Sequence, residues 1–71
     1  MDRIYVESRM LLSVGYDRET STLEVEFRGG GVYQYFGVPE TVYDGLLSAG
    51  SKGGYFDDNI KKAGYPYARV G

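Results

Sequence analysis

The residues most able to do chemistry in this chain are crowded into its last third. Lys52, Tyr55, Lys61, Lys62, Tyr65, Tyr67 and Arg69 interleave cations with phenol rings. That mixture suits a single-stranded nucleic acid: bases stack on rings of any kind, and cations neutralise the backbone between them. The competing reading is that the tyrosines pack a tail onto the core, the more frequent fate of such rings. Both stay open on spacing alone.

Catalytic readings find little to build on. The chain has no histidine and no cysteine, so the commonest general base, the thiolate nucleophile and the best transition-metal ligands are missing. Ser8, Ser13, Ser21, Ser48 and Ser51 have no base to activate them. Glu24 with Glu26, and Asp57 with Asp58, are paired carboxylates, but they read as a solvated strand face and a salt-bridged helix face. The expectation is no catalytic residue, no metal and no cofactor. Two glycine-rich runs are weak phosphate candidates. Gly29-Gly30-Gly31 reads as a hairpin turn between strands. Gly50-Ser51-Lys52-Gly53-Gly54 reads first as a helix–helix connection, with an anion site at a helix start as the alternative.

Charge limits the polyanion reading. The net charge is −2. Residues 1–50 carry eight acids against four arginines, whereas residues 51–71 carry a surplus of two positive charges. Proteins that depend on phosphate neutralisation usually hold a larger basic excess. The C-terminal third is the one place for it.

The elements that must position these residues follow from hydrophobic period. Seventy-one residues make one domain with a modest core, and eight Tyr with three Phe supply much of its apolar surface. Leu12, Val14 and Tyr16 alternate with small residues and predict a strand. Thr22 to Phe27 alternates without a fault, with Leu23, Val25 and Phe27 inward. Val32 to Phe36 follows the triple glycine. A two-residue loop pairs Phe27 with Val32. A three-residue loop pairs Phe27 with Tyr33 and Val25 with Tyr35, and this register is preferred because it gathers one apolar face. The opposite face then shows Thr22, Glu24, Glu26, Arg28 and Gln34 to water.

Helix signals fill the rest. Val38-Pro39-Glu40 looks like a helix start, with Val42, Leu46 and Ala49 on one face and Gly50 as the stop. Ser51 is a candidate N-cap for a second helix running towards Ala63, with Phe56, Ile60 and Ala63 inward. Asp57–Lys61 and Asp58–Lys62 are spaced as i,i+4 pairs. Gly64 fits a C-cap, and Tyr65-Pro66-Tyr67 should be extended. The fold expected is α+β: a three-stranded antiparallel β-meander with two C-terminal helices packed on one face. The N-terminus lacks a signal-peptide pattern and no segment could span a membrane, so a cytoplasmic setting in a bacterium or phage is expected, without membrane contact.

The ordered motifs carry a resemblance. Gly15-Tyr16-Asp17, Leu23-Glu24-Val25-Glu26-Phe27, Tyr33-Gln34-Tyr35, Val38-Pro39, Ser51-Lys52-Gly53, Tyr55-Phe56 and Tyr65-Pro66-Tyr67 resemble the KTSC domain family over about residues 8–70. That family takes its name from the C-terminal domain of some lysyl-tRNA synthetases and also occurs as small stand-alone bacterial and phage proteins. The resemblance brings no catalytic residues. It implies a small binding module, with RNA as a suggested partner. Where members often carry basic residues, this chain has Gly54, Asp57, Asp58 and Ala68. The functional alternatives are therefore an RNA-binding module using the C-terminal third, or a protein-interaction module that meets a partner or itself without any nucleic-acid role.

Overall fold

The computed structural model describes residues 1–71 as an antiparallel sheet carrying two helices on one face. Five strands, not three, make the sheet: β1 (Ile4–Tyr5), β2 (Leu11–Asp17), β3 (Thr22–Phe27), β4 (Val32–Phe36) and β5 (Tyr67–Arg69). Their spatial order is their chain order. Helix α1 spans Glu40–Ser48, and α2 spans Lys52–Phe56 before widening into a π-helical turn over Asp57–Lys61. The helices lie between β4 and β5 in sequence, so they are not C-terminal. The chain returns from them to pair β5 with the far side of β4.

The central strands pair as alternation requires, with two corrections. A β-bulge between Leu11 and Ser13 shifts the parity of β2, so Leu11 is fully buried while Leu12 is half-buried. Leu11, Val14 and Tyr16, not Leu12, Val14 and Tyr16, face the helices. In the β3–β4 hairpin the register is Val25 opposite Tyr33 and Leu23 opposite Tyr35. That is a slip of two from the preferred pairing. The Phe27 amide donates to the Gly31 carbonyl, and Gly30 and Gly31 both take positive φ, at 110° and 94°. An even slip leaves every side chain on its expected face, so both tyrosines still point at the helices.

Packing follows from that face. Leu11, Val14, Leu23, Val25 and Tyr35 of the sheet meet Val38, Leu46, Phe56 and Ile60 in one buried cluster, joined by Val6. Phe56 stands edge-on to both Phe27 and Tyr35, with centroids 5.4 Å away in each case, the geometry that ring quadrupoles favour. Tyr16 stacks on Tyr43 of α1 at 5.1 Å, and its hydroxyl donates to the Val38 carbonyl.

The helix ends differ in detail from the sequence reading. Pro39 is the N-cap of α1, one residue outside it. Ser51 caps α2, its Oγ accepting from the Gly54 amide at 3.2 Å. The second helix stops at Lys61 and Ala63 is exposed, because the π turn, closed by Lys62 N–H to the Asp57 carbonyl, rotates that position off the inner stripe. One of the two expected ion pairs forms and the other does not. Lys62 reaches Asp58 at 3.4 Å, but Asp57 and Lys61 do not meet.

The polar face of the sheet is only partly open to water: Arg28 is exposed and Glu26 and Gln34 are half-buried, whereas Thr22 and Glu24 are covered. Residues before β1 cross it, and Gly15 makes the crossing possible: a Cβ there would overlap the Asp2 carbonyl oxygen and lie 3.0 Å from Arg3 Cγ. Arg3 then passes over β2 to Glu24 at 2.8 Å, with Glu26 at 3.7 Å. Gln34 donates to the other oxygen of Glu24, and Ser13 donates to Glu26. Thr22, Glu24 and Ser13 are buried in consequence.

Candidate aromatic cleft

Strand β5 brings the expected residues to the sheet by pairing antiparallel with β4, Tyr67 opposite Tyr35 and Arg69 opposite Tyr33. Side chains directly opposite in such a pair share a face. Tyr67 and Arg69 therefore emerge on the helix side, beside Tyr33 and Tyr35. Ring centroids of Tyr67 lie 5.6 Å from Tyr35 and 6.2 Å from Tyr33. The Arg69 guanidinium carbon sits 5.9 Å from the centre of the Tyr33 ring, within cation–π range.

Facing these strands are Phe56 of α2 and Asp57 and Lys61 of the π turn. Between the two walls lies a cleft of about 490 Å³, lined also by Met10, Phe27 and Gly30. Its floor is aromatic. Tyr35 is nearly buried, at 7% exposure, whereas Tyr67 keeps 64% of its surface open. Burial raises the Tyr35 pKa above its ordinary value, and the neighbouring phenols of Tyr67 and Tyr33 add to the rise.

The seven sequence candidates divide. Tyr67 and Lys61 line the cleft, and Arg69 flanks it over Tyr33. Lys52 bends back to donate to the Ala49 carbonyl at 3.0 Å and lines a different, polar cleft. Tyr55 is half-buried against α1, where Gly45 leaves room for its hydroxyl. Tyr65 packs on the core, and Lys62 is paired with Asp58. Sequence reasoning did not connect Phe27, Tyr33, Tyr35, Phe56, Met10 and Asp57 to the cleft. A usable signal was the period-two spacing of Tyr65, Tyr67 and Arg69, which marks a strand able to extend the Tyr33–Tyr35 face.

No cluster of three or more acidic, histidine or cysteine side chains could hold a metal ion. No helix is long and apolar enough to cross a membrane.

Known proteins share this arrangement. The pattern of the KTSC domain matches residues 7–65. The chain is 43% identical to an uncharacterized protein of Stutzerimonas stutzeri (strain A1501) over 70 residues, which is 99% of each. It is 42% identical over 55 residues to a lysine–tRNA ligase of Nostoc punctiforme; the match takes in 78% of this chain but 10% of the ligase. The crystal structure of a KTSC domain protein from Yersinia pestis superposes with a TM-score of 0.93 at 43% identity, covering 99% of this chain and 97% of that one. At that coverage both edge strands, which lie outside the 7–65 match, have counterparts in the solved structure.

Proposed function

The chain belongs to the KTSC domain family, and we propose that this member is a small non-catalytic module that binds single-stranded nucleic acid, RNA above all, in the aromatic cleft. The observation that carries the reading is Tyr67: an exposed ring fixed beside Tyr33 and Tyr35 at the mouth of the cleft. A base entering there stacks on Tyr67 beside the Arg69 guanidinium, while Lys61 stands at the rim for the adjoining phosphate. Stacking of this kind contributes about 1–3 kcal/mol per base. With a net charge of −2, attraction by overall field is weak, so ring contact must supply most of the affinity. The match to a segment of lysine–tRNA ligases, enzymes named for acting on an RNA, makes RNA the first polymer to offer.

The test is an NMR titration of backbone amides with a short single-stranded RNA, repeated on Tyr67→Ala. Shifts should gather at Tyr33, Lys61, Tyr67 and Arg69, and the variant should bind about tenfold or more weakly. A titration that leaves those amides unmoved, or a variant that binds like the parent, removes the reading. The protein-interaction alternative has its own support in β5. The sheet order ends there, so its outer edge is unpaired, with Tyr67 and Val70 exposed beside it. It gains if the β5 amides shift with protein concentration instead of with RNA.

A further inference from the structure

We infer that the ligand track continues past the aromatic cleft, over Met10 and Asp57, into the adjoining polar cleft, where Arg9 takes a phosphate, so that the site holds a strand of at least two nucleotides. This rests on the nucleic-acid reading above. It adds a residue and a length to it.

The first observation is geometric. A second cleft of about 400 Å³ borders the aromatic one, and Met10 and Asp57 line both. The two depressions share a wall, so an extended ligand leaving one enters the other.

The second is a census of cations. Arg3 is held by Glu24, Arg18 by Glu40 and Lys62 by Asp58. Arg28 donates to the Ser8 and Val6 carbonyls, Lys52 to the Ala49 carbonyl and Arg69 to the Gly71 carbonyl. Six of the eight side chains are thereby engaged. Arg9 and Lys61 alone make no hydrogen bond or ion pair within the protein, and each is exposed. Lys61 lines the aromatic cleft and Arg9 lines the polar one. Lys61 on one cleft and Arg9 on the next are two unengaged cations available to phosphates of one strand.

The wall between them constrains what crosses it. Asp57 is half-buried with an unpaired carboxylate, which repels a phosphate but accepts from an N–H on a base edge. The polar cleft sets Glu7 and Asp57 against Arg9 and Lys52, so its charges balance and it has no positive field of its own. Recognition there is by single contacts. Two phosphate contacts on a single strand give a salt slope of about −1.4, far shallower than that of a basic groove.

The experiment compares uridine mono-, di- and trinucleotides by calorimetry on the parent, Arg9→Ala, Tyr67→Ala and the control Arg18→Ala, which removes an equal charge from a turn outside the track. The trinucleotide should bind more tightly than the mononucleotide. Arg9→Ala should weaken the trinucleotide about tenfold, the scale of one charge-assisted hydrogen bond, and leave the mononucleotide unchanged. Equal affinity for all lengths, or Arg9→Ala behaving as Arg18→Ala, overturns the extended track while a Tyr67→Ala defect leaves the cleft reading standing. If Tyr67→Ala is also silent, or no nucleotide binds, both fall.

Discussion

One face of the sheet excludes water with rings and branched aliphatics pressed under two helices; the other does so with a single arginine laid across two glutamates. On the helix side, Leu23, Val25, Tyr35 and Phe56 are buried without any charge among them. On the far side Glu24 is nearly as buried, and each of its oxygens has a partner, Arg3 on one and Gln34 on the other. Glu26 is answered by Ser13 and Arg3. The contrast separates structure from site. A polar cluster whose members satisfy one another has little left to offer a ligand, whereas Asp57 and Lys61, which do not pair with each other, keep their bonding capacity at the cleft. Rings on the helix face likewise run from buried Tyr35 out to exposed Tyr67, so the apolar face becomes a surface at one end only.

The strongest way to probe the comparison is to hollow out the apolar face. Phe56→Ala removes a ring that is 1% exposed and packed edge-on to two others. It should cost about 3–5 kcal/mol by urea denaturation, against roughly 4–11 kcal/mol for a domain of this length. The variant should lose between roughly a quarter and all of that margin. A loss under about 1 kcal/mol would mean that the helix face is not what holds the fold.

The polar face should yield less, and in a telling pattern. Arg3→Ala strands the Glu24 carboxylate, whose side chain is 11% exposed, at a cost of about 1–3 kcal/mol. Partial exposure of Arg3, at 27%, keeps this below the cost of breaking a fully buried pair. Gly15→Ala acts on the same segment from beneath, since its new methyl collides with the Asp2 backbone rather than with a side chain that could turn aside. Either substitution releases the N-terminal crossing. The double variant should therefore cost no more than the worse single one. Full additivity would show that the crossing and the clamp are separate devices.

That clamp was invisible in the sequence, and the reason is physical. Alternation in Thr22–Phe27 correctly assigned the two faces, the Val42–Leu46 stripe assigned the inner side of α1, and Ser51 marked a helix start, because each signal is local. Gly64 was expected to cap the second helix, but Lys62 does so, and Gly64 takes its φ of 82° in the turn that follows. Alternation says only which side a glutamate takes, not whether another segment will cover it; Gly15 gave no hint that Arg3 would pass over it. The bulge at Leu12 and the two-residue slip of the glycine hairpin arise from pairing with a neighbour, which no single strand encodes. Ile4–Tyr5 is too short to show a period, and the period-two spacing that leads through Tyr67–Arg69 reads equally as an extended tail until a partner strand is known. Both strands exist because an edge was available. Since β5 carries Tyr67, most of the cleft was hidden along with it, and Tyr33 and Tyr35 looked like core alone.

The smallest effect is a titration that belongs to the helix face. Burial raises the Tyr35 pKa, with Tyr67 and Tyr33 contributing, and burial with Asp44 nearby raises that of Tyr43. A phenol held neutral in the fold but free to ionise in the unfolded chain favours unfolding only once the unfolded chain loses its proton. The stabilising contribution is therefore complete below about pH 10 and declines as pH climbs through and beyond it. Urea midpoints followed from about pH 9 to about pH 11 should fall, and Tyr35→Phe should fall less steeply than the parent because one such phenol is gone. Removing this hydroxyl breaks no hydrogen bond within the protein, so the midpoint near pH 8 should move little, about 0.5 kcal/mol or less. Parallel curves for parent and variant would mean that Tyr35 meets solvent as freely as Tyr67 does, and the gradient from buried ring to open ring along β4 and β5 would be lost with it.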